Sequence, residues 1–273
     1  MTVPADGPAP EPLSRVRTGP AGAPLAPRLA AVLRTLDTAG FGHLLSEGVL
    51  TGVRALDSVK ALMVGTALPV RISCPDSGPV HLAVDRVRPG DVLVVDCGDD
   101  DRYASVGSVI AAMLELRGAA GVVVNGAVTD TARLRAGRLP VFSRAVSPLT
   151  TRITGAPGSV NLPLTVAGSR IAPGDIVLGD ADGVLVMTPV TAAALAPRVA
   201  ASAAAEPGYL ARFRDGAPLS AMTGADRAAA PTAASTPASG SSSDSPYDHA
   251  VGPPAVPPTA SGHATTAPEG SRS

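Results

Sequence analysis

The chain has 273 residues, 22 basic against 23 acidic side chains, three Phe, three Tyr and no Trp. A net charge of −1 and so few aromatic rings leave neither a basic face nor a stacking platform, so nucleic acid is not an expected partner. No run approaches the roughly 18 uninterrupted apolar residues of a membrane span, and no charged start is followed by an apolar run as in a secretory leader, so a cytoplasmic protein without a membrane partner is expected.

Composition divides the chain into three. Residues 1–27 are rich in Ala, Pro and Gly, and residues 217–273 in Ala, Pro, Ser, Thr and Gly. Both lack the spaced large apolar residues that offset ordering entropy and are expected to be disordered. Residues 28–216 suffice for one domain with a real core. Within it, Arg28–Leu36 reads as a helix with Leu29, Val32, Leu33 and Leu36 on one face. Strand-like Ala61–Val64 and Val70–Ser73 follow, then a short helix over His81–Arg86.

Pro89-Gly90-Asp91 turns into Val92–Val95, an apolar run suited to a buried strand, and Gly98-Asp99-Asp100-Asp101 forms a polar loop at its carboxyl end. A helix is predicted over Ser105–Leu116, a strand over Gly121–Val124, a short helix over Thr129–Ala136 and a strand over Val141–Ser143. Thr129 or Asp130 is the expected N-cap of that short helix. This β-α-β-α-β order implies a mainly parallel sheet whose ligands gather beyond the strands' carboxyl ends, at Asp96–Asp101 and Asn125–Asp130. Val160–Val166, Ile176–Leu178 and Val184–Met187 read as additional β-structure, and Thr191–Ala205 as a final helix.

Motifs for nucleotide cradling and for a serine elbow are absent. His43 and His81 stand at unrelated positions, against a histidine-ligated zinc, and Lys60 is the one lysine available for Schiff-base chemistry. Cys74 and Cys97 form no CxxC pair and suit small buried apolar groups in a reducing compartment. The grouping of Arg133, Arg135 and Arg138 reads as a solvated face. Asp96, Asp99, Asp100, Asp101 and Asp130 are oxygen ligands of the type that suits Mg²⁺ or Mn²⁺; a solvated loop and a helix cap are the competing explanations. A helix start near Ser105 adds free amides for a carboxylate or enolate oxygen, with Gly107 permitting close approach.

The segments GTALPV (65–70), RPGDVLVVDCGDD (88–100), RGAAGVVVNGAVTD (117–130), LPVFSRAVSP (139–148) and IAPGDIVLGDADGVLVMTP (171–189), with Gly107 before its helix, resemble the RraA-like family. That family holds the 4-hydroxy-4-methyl-2-oxoglutarate aldolases and the regulator of ribonuclease activity A. The resemblance implies an α/β sandwich similar to swivelling phosphohistidine domains, with a mainly parallel central sheet. It also implies a homotrimer or hexamer with sites between subunits. It further implies a divalent metal, Mg or Mn, and a small 2-keto acid cleaved or decarboxylated through a pyruvate enolate.

On that pattern Asp130 holds the metal through water, and the amides of Val109 and Ile110, after Gly107 and Ser108, hold the substrate carboxylate. Thr129 stands where the family has its substrate-binding arginine, Ser108 where it has an acid, and Arg133 where it has a further acid. Glu206, the one acid between Asp182 and Asp215, is a weak candidate for a carboxylate reaching a neighbouring subunit. Arg102 or Arg144 could stand in for the missing guanidinium, though no motif supports either. Loss of a bidentate guanidinium costs about 1.5–3 kcal/mol, and loss of an acid from the metal's surroundings weakens affinity by ~10–100-fold. The leading expectation is a metal-dependent lyase with a degenerate site. The alternatives are a catalytically inactive oligomeric regulator and a lyase or isomerase of altered specificity.

Overall fold

The computed structural model describes residues 15–58, 62–98 and 100–228, which form strands β1 (Val16–Thr18), β2 (Arg54–Ala55), β3 (Met63–Arg71), β4 (Asp91–Asp96), β5 (Ala104–Val106), β6 (Gly121–Val128), β7 (Val141–Val146), β8 (Gly158–Val160), β9 (Leu164–Val166), β10 (Ser169–Ile171), β11 (Ile176–Asp180) and β12 (Gly183–Met187). The helices are α1 (Pro27–Leu33), α2 (Thr38–Gly42), α3 (Gly78–Val84), α4 (Ser108–Leu116), α5 (Thr131–Ala136), α6 (Pro189–Arg214), α7 (Leu219–Thr223) and α8 (Ala225–Ala228). The chain divides into two units, Met1–Ala204 and Ala205–Ser273. Among the described residues no helix is long and apolar enough to cross a membrane.

The first unit is mixed α/β around the sheet β1-β8-β3-β4-β6-β7-β2. β3, β4, β6 and β7 run parallel, as the alternation of apolar strands and helices predicts. β11 pairs antiparallel with β3 and carries β12. Alternate residues of each strand serve opposite faces. Leu68, Val70, Leu93, Val95, Val122 and Val124 pack under α3, α4 and α5, against Val80, Ala83, Leu114 and Leu134. Ala67, Val92, Val94, Val123 and Phe142 face Val166, Ile171, Val177, Val184 and Val186. A third core joins α1, α2 and the first half of α6 through Leu33, Phe41, Ile176, Leu178, Ala192 and Val199. Each fully buried Val, Leu or Phe contributes about 1.5–3 kcal/mol, which is why strands with apolar residues on both faces hold the centre.

Several elements differ from expectation. The two strands predicted around residues 61–73 are one, β3, which runs through Pro69. Pro69 lies where β11 has ended and β8 has begun; its carbonyl accepts from the Asn161 amide at 2.9 Å, so the strand continues without a ladder bond from its nitrogen. The expected strand Val160–Val166 is broken into β8 and β9, with Asn161 between them in the left-handed region at φ 55°. Residues 15–27 belong to the fold rather than to a disordered segment: β1 pairs in parallel with β8, and Arg88 reaches the Gly22 carbonyl at 3.0 Å. α6 continues beyond Ala205 to Arg214, and α7 and α8 lie within the segment expected to be an unstructured tail. The remainder of that tail, and residues 1–14, are outside the described residues.

Candidate functional site

Two chain segments leave the sheet side by side. β5 pairs in parallel with β6, Val106 opposite Val128, and the Thr129 amide donates to the Val106 carbonyl at 3.0 Å. Gly107 therefore sits beside Thr129 and Asp130. A Cβ at Gly107 would lie 2.9 Å from Thr129 Cγ2 and 3.0 Å from Asp130 Oδ2, which explains the glycine by close approach. Its φ of −127° is open to other residues. The helix expected from Ser105 begins instead at Ser108: Ala104–Val106 is a buried strand and Gly107 the N-cap.

Asp130 occupies the N-cap position of α5 in the left-handed region, φ 55° and ψ 35°, but its side chain does not cap α5. It crosses to α4, where Oδ2 accepts from the Ser108 amide at 2.9 Å and from the Ser108 hydroxyl at 2.8 Å. Those two donors, the amide foremost, and the positive charge of Arg133 hold the Asp130 carboxyl below its ordinary range. Asp130 thus satisfies the first amide of α4 with a protein carboxylate at the helix's positive end. No protein hydrogen bond reaches the next two amides, Val109 and Ile110, from the described residues. A cleft of about 430 Å³ opens on the α5 side of Asp130, lined by Thr129, Asp130, Arg133, Val146, Ser147 and Pro148.

The other acids at the strand ends are committed elsewhere. Arg71, Asp96 and Asn125 lie at one level across β3, β4 and β6, in direct register. Asp96, 1 % exposed, is paired with Arg71 and accepts from Asn125 Nδ2 at 2.9 Å and the Gly98 amide at 3.0 Å. Arg144 continues the row, donating to Asn125 Oδ1 at 3.3 Å and Asp101 Oδ2 at 3.1 Å. Asp100 is bound by the side chain and amide of Arg102, which hold its carboxyl below the usual range. Asp99 and Lys60 lie outside the described residues, and His43 and His81 are exposed on α2's end and α3.

Comparison with known proteins identifies the scaffold. The family profile described as RraA-like, Aldolase/RraA, matches residues 36–186. The chain belongs to the RraA-like family. A relative from Halalkalibacterium halodurans, provisionally named 4-hydroxy-4-methyl-2-oxoglutarate aldolase, is 37 % identical over 125 residues, covering 46 % of this chain and 59 % of that protein. One of the same provisional name from Burkholderia multivorans is 43 % identical over 111 residues, 41 % of this chain and 67 % of that one. The structure of the RNA-processing inhibitor RraA from Thermus thermophilis superposes with a TM-score of 0.51 at 30 % identity, covering 56 % of this chain and 92 % of that one. The match thus spans less than two thirds of the first relative.

Within this RraA-like site, Gly107, Ser108, Thr129 and Asp130 come together as the sequence suggests, and Val109 and Ile110 follow on α4. The two arginines considered as replacements for the guanidinium are engaged with Asp100 and with Asn125 and Asp101. Glu206 is exposed and lies in the second unit. For a divalent cation the donor set is poor. Among the described residues no group of three His, Cys, Asp or Glu side chains able to hold a metal comes together, and one Asp130 oxygen already serves two donors. These residues do not by themselves fit a metal.

The Arg71–Asp96–Asn125–Arg144 row has no signature in the sequence, because only strand register creates it. The cysteines depart in part from expectation. Cys97 is buried as expected, but Cys74 is half-buried and lines an open cleft.

Proposed function

We propose that this RraA-like protein retains the aldolase scaffold without effective lyase turnover and serves as an oligomeric binding protein. The observation carrying this reading is the Ser108–Asp130 contact. The family pattern asks for an arginine at 129 and an acid at 108, so that two carboxylates share a cation. Here one oxygen of the lone carboxylate takes both Ser108 donors, and Thr129 carries no charge with which to clamp a keto acid's carboxylate. Its relatives' names point both ways, to an aldolase and to an inhibitor of RNA processing. Assembly as a homotrimer or hexamer is part of the proposal. Val109, Met113 and Leu116 on α4 are 73 %, 39 % and 81 % exposed, an apolar stripe that a neighbouring copy beside the site would cover.

A second reading, a lyase acting on a small 2-keto acid with Mg²⁺ or Mn²⁺, is favoured by the amides of Val109 and Ile110, which no acceptor among the described residues occupies. The deciding experiment measures pyruvate release from oxaloacetate and from 4-hydroxy-4-methyl-2-oxoglutarate, with Mg²⁺, Mn²⁺ and EDTA controls. The binding-protein reading expects no turnover above the metal-only background, and gain of metal-dependent turnover in Thr129→Arg/Ser108→Asp. Metal-dependent turnover by the wild type, abolished in Asp130→Ala, would overturn it and establish the lyase.

A further inference from the structure

A second and larger cleft, about 620 Å³, opens at the carboxyl ends of β3 and β4, and Cys74 and Cys97 both line it, with Arg71 and Arg102 at its rim. The cysteines leave adjacent parallel strands, three residues after Arg71 and one after Asp96, whose Cα positions are paired. Cys97 is 5 % exposed and packs in the core beneath α4, with its sulfur 3.6 Å from Ser105 Oγ. Cys74 packs against the same cluster but is half open to the cleft. The far side of Cys97 is closed: a Cβ at Gly126 would come within 2.6 Å of its sulfur, so only a glycine lets β6 pass there. Both thiols line the one cleft, the buried and the half-buried cysteine alike.

We infer that Cys74 and Cys97 form a peroxide-oxidisable dithiol, with Cys74 the attacking and Cys97 the resolving cysteine. Cys74 Sγ attacks one oxygen of a hydroperoxide; the O–O bond breaks, water or an alcohol leaves, and Cys74 becomes a sulfenic acid. The Cys97 thiol then displaces the hydroxyl from the Cys74 sulfur, forming the S–S bond and releasing water. Two thiols supply the two electrons that reduce the peroxide, and their protons leave in the products.

The environments suit these roles. The hydrogen bond from Cys97, aided by the charge of Arg102 and opposed by burial and by Asp100 and Asp96, favours the thiolate at Cys74. The same contact, with burial, raises the Cys97 thiol and leaves Cys74 as the thiolate that attacks first. A disulfide would tie the segment after β3 to the loop that runs on toward Gly107.

Hydrogen peroxide is the probe, applied to the full chain, followed by alkylation and mass spectrometry of non-reduced tryptic peptides. Cleavage after Arg86 separates the cysteines onto different peptides, the Arg88–Pro89 bond being resistant to trypsin. The expected result is loss of both alkylatable thiols together with a Cys74–Cys97 cross-linked pair, reversed by dithiothreitol. In Cys97→Ser, circular dichroism serving as the check on folding, a sulfenic acid trapped by dimedone at Cys74 is expected instead. Wild-type protein in which Cys97 stays alkylatable while Cys74 is oxidised, or in which both thiols survive peroxide, would overturn the inference.

Discussion

Asp76 is fully buried and clasps two segments together. Its Oδ1 accepts from the Gly78 amide at 2.6 Å; its Oδ2 accepts from the Thr154 amide at 2.5 Å, the Thr154 hydroxyl at 2.6 Å and the Ala156 amide at 3.0 Å. This pins the loop after β7, which carries Ser147 and Pro148 of the cleft, to the start of α3. In Asp76→Asn one oxygen becomes a donor, so either three donors or one must face an NH₂, and the charged acceptor is lost. Bonds to a charged acceptor are worth about 1.5–3 kcal/mol each. They are not additive, so the expected loss is about 3–5 kcal/mol, the range for breaking a buried charged contact.

Burial alone would raise the Asp76 carboxyl, but the Thr154 hydroxyl and the amides of Gly78, Ala156 and Thr154 outweigh it and hold it below its ordinary range. A carboxyl lowered on folding adds stability that is complete above its unfolded pKa of about 4 and fades as pH falls through the folded value. The Asn variant has no such contribution. Urea denaturation of both proteins at neutral pH and through the acid range is the assay. The gap between them is expected to be widest near neutrality and to narrow below about pH 4, with the denaturant slope unchanged. A neutral-pH difference below about 1 kcal/mol, or a gap that does not narrow on acidification, would refute the reasoning.

Three further outcomes follow from the same structure. In Ser108→Ala, Asp130 loses one of two donors, so its carboxyl is expected to titrate at higher pH than in the wild type by carbon-detected NMR; an unchanged value would mean the contact is absent in solution. Phe142→Ala, which empties a fully buried ring site against Gly179 and Met63, is expected to cost about 3–5 kcal/mol in denaturant midpoint analysis. Val109→Asp combined with Leu116→Asp is expected to shift the sedimentation coefficient to that of a monomer while the circular dichroism spectrum is kept; an unaltered assembly would place the interface elsewhere.

The β3–β4–β6–β7 framework was legible because its strands are buried on both faces and so appear as uninterrupted apolar runs such as Val92–Val95 and Gly121–Val124. β5 was not: Ala104–Val106 is too short for an alternation to appear, and Ser105 before Gly107 imitates a helix start. β1 escaped because a short strand among prolines and glycines has no apolar signature, and its order comes from β8. At the site, the nearness of Ser108 to Asp130 was readable through the family pattern. That Asp130 would leave its own helix to serve α4 was not, since it depends on a left-handed backbone at a single residue. The polar row from Arg71 to Arg144 depends on register between strands far apart in sequence, which no local pattern encodes.

That dependence on distant partners also governs the order in which a ribosome can deliver this fold. β1 finds its neighbour only when Gly158–Val160 emerges, and the first half of β3 waits for Ile176–Gly179. At ~5–20 residues per second, β3 spends on the order of ten seconds with its Met63–Thr66 edge unpaired on the nascent chain. During that interval an exposed apolar strand is open to pairing with other chains, so growth at higher temperature or without holdase chaperones should raise the aggregated fraction before it affects the finished protein.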